Sequence, residues 1–146
     1  MIKLICGKSR AGKTTFAQRY KDVIHLDSYG RPPDSYEKLL PQVAQLTGDI
    51  TIEGIFDTAD LRRRLLDTYQ GTGAVCIWID TPQDVINGRY FRPPTKPHTF
   101  EPPQLSEGWS EIITIINYES NNTKRKIGRP GQRHWDKGKA PAAADD

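Results

Sequence analysis

Nowhere in the chain is there an uninterrupted apolar run of about 18 residues, so no segment reads as a membrane-crossing helix. Met1-Ile2-Lys3-Leu4-Ile5-Cys6 is too short for the apolar core of a signal peptide, and a cytoplasmic location is expected. Cysteine is scarce, with 2 in 146 residues. Cys6 and Cys76 both fall inside apolar, strand-like runs and read as small buried hydrophobes, not as a disulfide or metal pair. No internal repeat is present, which sets aside a solenoid. The chain also lacks an N-K-x-D motif, the base-specificity signature of GTP-switch domains. The net charge is only +3, and it is unevenly spread. Residues 121–146 carry 7 basic and 3 acidic side chains, whereas residues 1–120 carry 14 and 15. The basic character therefore belongs to the last 26 residues, and the rest is an ordinary globular composition of one-domain length.

What is present starts with Gly7-Lys8-Ser9-Arg10-Ala11-Gly12-Lys13-Thr14, followed by Thr15, which fits G-x-x-x-x-G-K-[ST]. The apolar run Ile2 to Cys6 precedes it, and Thr14 to Tyr20 behind it lacks Gly and Pro and can be helical. Strand, loop and helix in that order are the context in which this spacing cradles a triphosphate. Backbone N–H groups of the loop and the start of the helix face the phosphates. Gly7 and Gly12 permit backbone approaches that a side chain would block. Lys13 supplies a charge for the β- and γ-phosphates, and Thr14 a hydroxyl for Mg2+. ATP and Mg2+ are the expected cofactors.

Further along, Val23 to Leu26 reads as a strand ending on Asp27. Asp34 is a candidate N-cap, with Glu37 completing a capping box, for a helix to about Gln45 that Pro41 should bend or split. Asp49 to Gly54 is a third strand, and Ala59 to Tyr69 a helix capped by Asp57 or Thr58. Ala74 to Asp80 is an almost wholly apolar fourth strand, and Thr81-Pro82 opens a short helix to about Asn87. Residues 88–103 hold Arg89, Arg92 and Lys96 among five prolines and read as an exposed functional loop. Glu111 to Asn117 closes the series as a fifth strand. Strands alternating with helices predict an α/β fold with a parallel sheet. Ligands bind such sheets beyond the carboxyl ends of the strands. Asp27, Glu53 and Asp80 stand at those ends beside the loop. Asp27 and Glu53 suit phosphoryl transfer, one accepting a proton and one linked to Mg2+, while Asp80 before Thr81-Pro82 suits a helix cap.

Together these pieces resemble the small P-loop kinases, the group that includes phage polynucleotide kinase and the nucleoside and nucleotide kinases. The resemblance covers about residues 2–117. It rests on Gly7 to Thr15, His25-Leu26-Asp27-Ser28-Tyr29-Gly30-Arg31, Ile52-Glu53-Gly54, Asp80-Thr81-Pro82 leading to Arg89, and Glu107-Gly108-Trp109-Ser110-Glu111-Ile112-Ile113. It implies a single P-loop kinase domain over residues 1–120, built on a five-stranded parallel sheet in order 2-3-1-4-5. It implies Asp27 as general base and Arg31 near the acceptor. Glu53 stands where the group keeps its Mg2+-linked acid, more often an Asp. Arg89 and Arg92 would be lid arginines closing over the phosphates. No catalytic role falls to Arg62-Arg63-Arg64, of which at least one should lie on a solvated helix face.

Residues 121–146 read as a basic, flexible tail. Within it, Lys124-Arg125-Lys126-Ile127-Gly128-Arg129-Pro130-Gly131-Gln132-Arg133 is similar to an AT-hook, with Ile127 and Gly131 where basic residues are common. That similarity implies Arg129 in the minor groove of A·T-rich DNA, with Arg125 and Lys126 on phosphates. Trp135 can pack back on the domain or stack on a base. A DNA-tethered kinase implies an acceptor hydroxyl on DNA. The hydroxymethyl group of 5-hydroxymethyluracil in phage-type hypermodified DNA is preferred, and a 5′-hydroxyl end is the alternative. Tyr29, Tyr90 and Phe91 could stack on a flipped base or belong to the core. A nucleoside or nucleotide kinase, and a DNA-binding module that only senses nucleotide, are the remaining readings.

Overall fold

The computed structural model describes residues 1–92, 95–96 and 98–116, and the backbone alone of 132–136. In chain order these form β1 (Ile2–Gly7), α1 (Lys13–Ala17), β2 (Ile24–His25), α2 (Asp34–Val43), β3 (Ile50–Glu53), α3 (Ala59–Thr68), β4 (Ala74–Asp80), α4 (Gln83–Gly88), β5 (Glu111–Ile116) and β6 (Gln132–Asp136). Short 3-10 turns at Leu26–Tyr29 and Leu105–Glu107 follow β2 and precede β5. No helix among the described residues is long and apolar enough to cross a membrane.

The sheet runs β2-β3-β1-β4-β5-β6, and every pairing is parallel. The expected five-strand order stands, and a sixth strand extends it beyond β5. The register of β6, Ile112 opposite Gln132 through Ile116 opposite Asp136, makes 117–131 the connection from the carboxyl end of β5 to the start of β6. Arg125, Lys126 and Arg129 lie outside the described residues.

Two apolar layers sandwich the sheet because β1 alternates. Ile2, Leu4 and Cys6 face a cluster with Leu39 and Val43 of α2 and Leu65 of α3. Ile5 faces the opposite cluster, with Phe16 and Ala17 of α1 and Ile86 of α4. Burying strands on both faces is why β4 and β5 read as nearly continuous apolar runs. Cys6 and Cys76 belong to the first layer, fully buried, with sulfurs 3.5 Å apart. Burial pushes the Cys76 thiol up, away from the reactive thiolate.

Local expectations fared unequally. Thr58 caps α3 through its hydroxyl, which accepts from the N–H of Leu61 at 3.2 Å. The capping box at Asp34 does not form. Pro33 is the N-cap, Asp34 is already helical, and Glu37 reaches Arg64 at 2.9 Å instead. Pro41 neither splits α2 nor ends it, since it lies on the exposed side and the buried Tyr36, Leu39 and Val43 hold the other face. β2 is only two residues long, so Asp27 stands in the 3-10 turn beyond the strand.

Arg63 is exposed, as a solvated helix face requires, but Arg62 is fully buried. Its guanidinium donates to both carboxylate oxygens of Glu107, at 2.7 and 3.0 Å, and to the carbonyl of Phe56 at 2.7 Å. Burial opposes the charge, but the Glu107 hydrogen bonds more than restore it, and the pKa lies above the ordinary value. Glu107 also accepts from the Trp109 indole at 3.0 Å and from the Gln104 N–H at 3.1 Å. The cluster ties α3 to the turn before β5. It also holds Phe56 at φ 40, a conformation that costs energy outside glycine.

Removing one partner leaves an uncompensated buried charge, so Arg62→Ala should lose about 3–5 kcal/mol of unfolding free energy. A loss under about 1 kcal/mol in urea titrations, the scale of a surface pair, would contradict that assignment.

Candidate active site

The loop between β1 and α1 is closed by contacts that need its particular residues. A Cβ on Gly7 would sit 2.7 Å from the carbonyl oxygen of Ile79, so no side chain fits where β1 passes β4. Gly12 caps α1 at φ 106, a left-handed conformation suited to glycine. The Thr81 hydroxyl donates to the carbonyl of Ala11 at 2.6 Å and pins the loop to the end of β4. Lys8 donates to the side-chain oxygen of Gln83 at 2.9 Å, and Arg89 to the carbonyl of Arg10 at 2.8 Å. Two α4 contacts thus brace the loop from the lid side.

Lys13 is buried, and its ammonium donates to the carbonyl of Lys8 at 2.7 Å. Burial pulls its pKa below the ordinary value, opposed by the carboxylates of Glu53 and Asp27 and by Cys6. An ammonium desolvated in this way gains from a phosphate placed against it, because burial is what opposes its charge. The Thr14 hydroxyl donates to Glu53 Oε1 at 3.2 Å, and His25 Nδ1 lies 2.9 Å from the same oxygen. The pairing of β2 with β3 sets His25 directly opposite Glu53. Glu53 is itself buried, so its carboxylate has a fixed aim. Close packing helps, since a Cβ on the next residue, Gly54, would lie 2.7 Å from the Cβ of Leu26.

These side chains open onto one cleft of about 770 Å³. Ser9, Arg10, Gly12, Lys13, Thr14 and Thr15 line it from the loop, Asp27 and Glu53 from the strand ends, and Arg89 from the far end of α4. Arg19, Phe16, Ile55, Ile79 and Ile115 complete its walls. Its size falls within the usual range for ligand pockets, about 300–1,000 Å³, near the upper end. Tyr29, Arg31 and Arg92 do not line it. Tyr29 packs against the core beside α2, with its hydroxyl on Gln42. Arg31 and Arg92 are exposed. Phe91 is 96% exposed, whereas Tyr90 packs under the guanidinium of Arg10, 5.0 Å from the ring centroid.

The residues suit a magnesium ion. Thr14 and Glu53 present oxygens side by side, and no group of three or more His, Cys, Asp or Glu among the described residues could hold a metal alone. One or two protein oxygens completed by substrate phosphates is how Mg2+ is commonly held in phosphoryl-transfer sites.

Sequence reasoning passed over His25, Thr81 and Arg62. His25 was legible in principle, because two adjacent parallel strands ending on acids put its side chain at the level of Glu53. Thr81 and Arg62 carry no local signal, since their partners lie 70 and 45 residues away.

No protein-family model matches the chain, and no curated protein does. Among solved structures, an unliganded sugar kinase from a Janibacter species is similar at 16% identity, over 92% of this chain and 83% of that one, with a TM-score of 0.47.

Because burial lowers the pKa of Lys13, its ammonium costs the free fold stability at every pH below that lowered value. The cost is relieved as pH rises through the folded-state pKa toward the ordinary one. Lys13→Met should therefore keep or raise the melting temperature of the free protein near neutral pH while abolishing its rise on adding ATP. A melting temperature that falls in the variant would show that Lys13 is structural.

Proposed function

We propose that the protein is an ATP-dependent phosphotransferase that acts on a hydroxyl of DNA, with the hydroxymethyl group of 5-hydroxymethyluracil as the preferred acceptor. The observation that carries the kinase part is the convergence of Lys13, Thr14, Glu53, Asp27 and Arg89 on one cleft behind a closed phosphate loop. In this reading the loop N–H groups and Lys13 hold the β- and γ-phosphates. Thr14 and Glu53 would hold Mg2+, which would supply positive charge to offset that of the phosphates. Asp27 accepts the proton of the acceptor hydroxyl as its oxygen bonds to the γ-phosphorus. The bond from that phosphorus to the bridging oxygen breaks, and ADP leaves with the electron pair. Arg89, held at the loop by the Arg10 carbonyl, offsets charge on the transferring group.

The acceptor part rests on charge and on the tail sequence. The basic run Lys124 to Arg133 supplies a polyanion-binding segment, and its resemblance to an AT-hook favours A·T-like duplex. A base acceptor must leave the stack to reach Asp27, and the exposure of Asp27 leaves it open to a substrate that large.

Incubation with γ-labelled ATP and a panel of free nucleosides, 5′-hydroxyl DNA and duplex containing 5-hydroxymethyluracil tests both parts. Label should enter the modified duplex, and Asp27→Asn should lower kcat by about 10²–10⁴-fold with little change in KM for ATP. Label on free nucleosides alone would remove DNA as the substrate. Unchanged turnover in Asp27→Asn would remove Asp27 as the base. Deleting 121–146 would also remove β6, so the charge-reversal variant Arg125→Glu/Lys126→Glu/Arg129→Glu is the cleaner probe of DNA affinity. Its DNA binding should weaken and lose salt dependence while ATP binding persists.

A further inference from the structure

A second, smaller pocket of about 280 Å³ lies beside the phosphate loop, on its α4 side. Lys8, Ser9, Gln83, Tyr90, Lys96 and His98 line it. Ser9 lines the main cleft as well, so the two spaces meet at the loop. The Tyr90 ring, stacked under Arg10, forms part of the partition between them.

Its chemistry differs from that of the main cleft. No carboxylate lines it. The ammonium of Lys8 donates to an uncharged partner, the side-chain oxygen of Gln83 at 2.9 Å. Gln83 is aimed in turn, because its amide nitrogen donates to the side-chain oxygen of Asn87 at 2.9 Å. Lys8 is thereby held in a fixed direction and its positive charge is not cancelled. Lys96 lines the same pocket and makes no ion pair with a described residue. His98 also lines the pocket, and its Nε2 lies 2.7 Å from Asp57, which sets one carboxylate behind the ring. Two lysines and an aromatic ring around so small a space fit a single phosphate with part of its sugar.

We infer that this pocket is an acceptor subsite for the phosphate group next to the nucleoside being phosphorylated. The acceptor spans the partition: its hydroxyl meets Asp27 in the main cleft, and its neighbouring phosphate passes Ser9 to rest between Lys8 and Lys96. The enzyme then discriminates against free nucleosides by the absence of that phosphate. The inference rests on the phosphotransferase reading and narrows its substrate to a nucleotide or a nucleic acid strand.

Lys96→Glu is the probe, because Lys96 is exposed and its replacement leaves the fold and the phosphate loop intact. Lys21→Glu, exposed at the opposite end of the sheet before β2, makes the same charge change away from the pocket. The acceptors are 5-hydroxymethyldeoxyuridine, its 3′-monophosphate, and a dinucleotide carrying it 5′ to a phosphodiester. The expected result is a rise of about tenfold or more in KM for the phosphate-bearing acceptors in Lys96→Glu, the scale of one lost charged hydrogen bond. KM for ATP and for the neutral nucleoside should stay constant, and Lys21→Glu should act as wild type. An effect on the monophosphate alone identifies a free nucleotide as the source, and an effect on the dinucleotide as well identifies a strand. Equal effects of the two charge reversals, or no effect of Lys96→Glu, overturn the subsite.

Should no acceptor be phosphorylated, equilibrium binding of the same dinucleotide with a non-hydrolysable ATP analogue separates the two ideas. Weakened binding in Lys96→Glu keeps the subsite while the transferase reading falls. Unchanged binding removes both.

Discussion

Lys13 places a positive charge where water cannot reach it freely, and the neighbouring geometry answers to that placement. The ammonium is buried beneath its own loop and touches a backbone carbonyl, a partner with no formal charge to give. Its favourable charge partners are the carboxylates of Glu53 and Asp27, which come from β3 and from the turn after β2. They arrive there because β3 and not β4 follows β1 on that side, and because β2 adds outside β3 in parallel. A different strand order would leave the lysine without its acids. Gly7 makes the arrangement possible, since β4 passes so close that Ile79 leaves no room for a Cβ. The phosphate loop therefore holds a buried ammonium among backbone N–H groups, a setting that suits an anion carrying more than one negative charge.

The loop itself was legible because its information is local. Two glycines, a lysine and a hydroxyl at fixed spacing need only a strand before and a helix after. The parallel sheet was legible from the doubly buried β4 and β5. What escaped prediction depends on partners chosen at long range. Arg62 sits between two other arginines on a helix that has every appearance of a solvated face, and only Glu107, folded in from beyond α4, makes its burial tolerable. Glu37 has the right spacing for a capping box, yet Pro33 takes the cap position and leaves Glu37 free to reach α3. β6 is hidden for another reason. Gln132-Arg133-His134-Trp135-Asp136 has no strand-like hydropathy, and an edge strand is held largely by backbone pairing, which side-chain pattern does not report.

The same long-range contacts limit how the lid segment can behave. Residues 98–102 are fastened to the far side of the site. The Glu101 N–H donates to the Asp57 carbonyl at 2.9 Å, and its carboxylate accepts from the N–H of Ala59 at 3.1 Å. Phe100 stacks on Trp78 with ring planes 4° apart and packs beside the guanidinium of Arg62. Arg89 is fastened at the other end, on the carbonyl of Arg10. Residues 98–102 are thus anchored beside α3, and Arg89 is anchored on the phosphate loop. A substrate that displaces either end must break the contacts made there.

Charge distribution then decides how a large anion would approach. Residues 1–120 have one more acid than base, so the domain as a whole exerts no long-range pull on nucleic acid. On the DNA-kinase proposal the attraction comes from residues 121–146 and, at short range, from the cations inside the clefts. These act in sequence because of their geometry. A segment joined to the carboxyl end of β5 holds a strand near the edge of the sheet where Ile115 lines the main cleft. Exposed cations raise the local concentration of any polyanion and lose that advantage as salt rises. Lys13, buried and flanked by acids, contributes little to capture and much to selection, since it rewards only a ligand dense enough in charge to outweigh Glu53 and Asp27. The proposal thus assigns capture and selection to separate parts of the chain. A mutation in one should leave the other measurable.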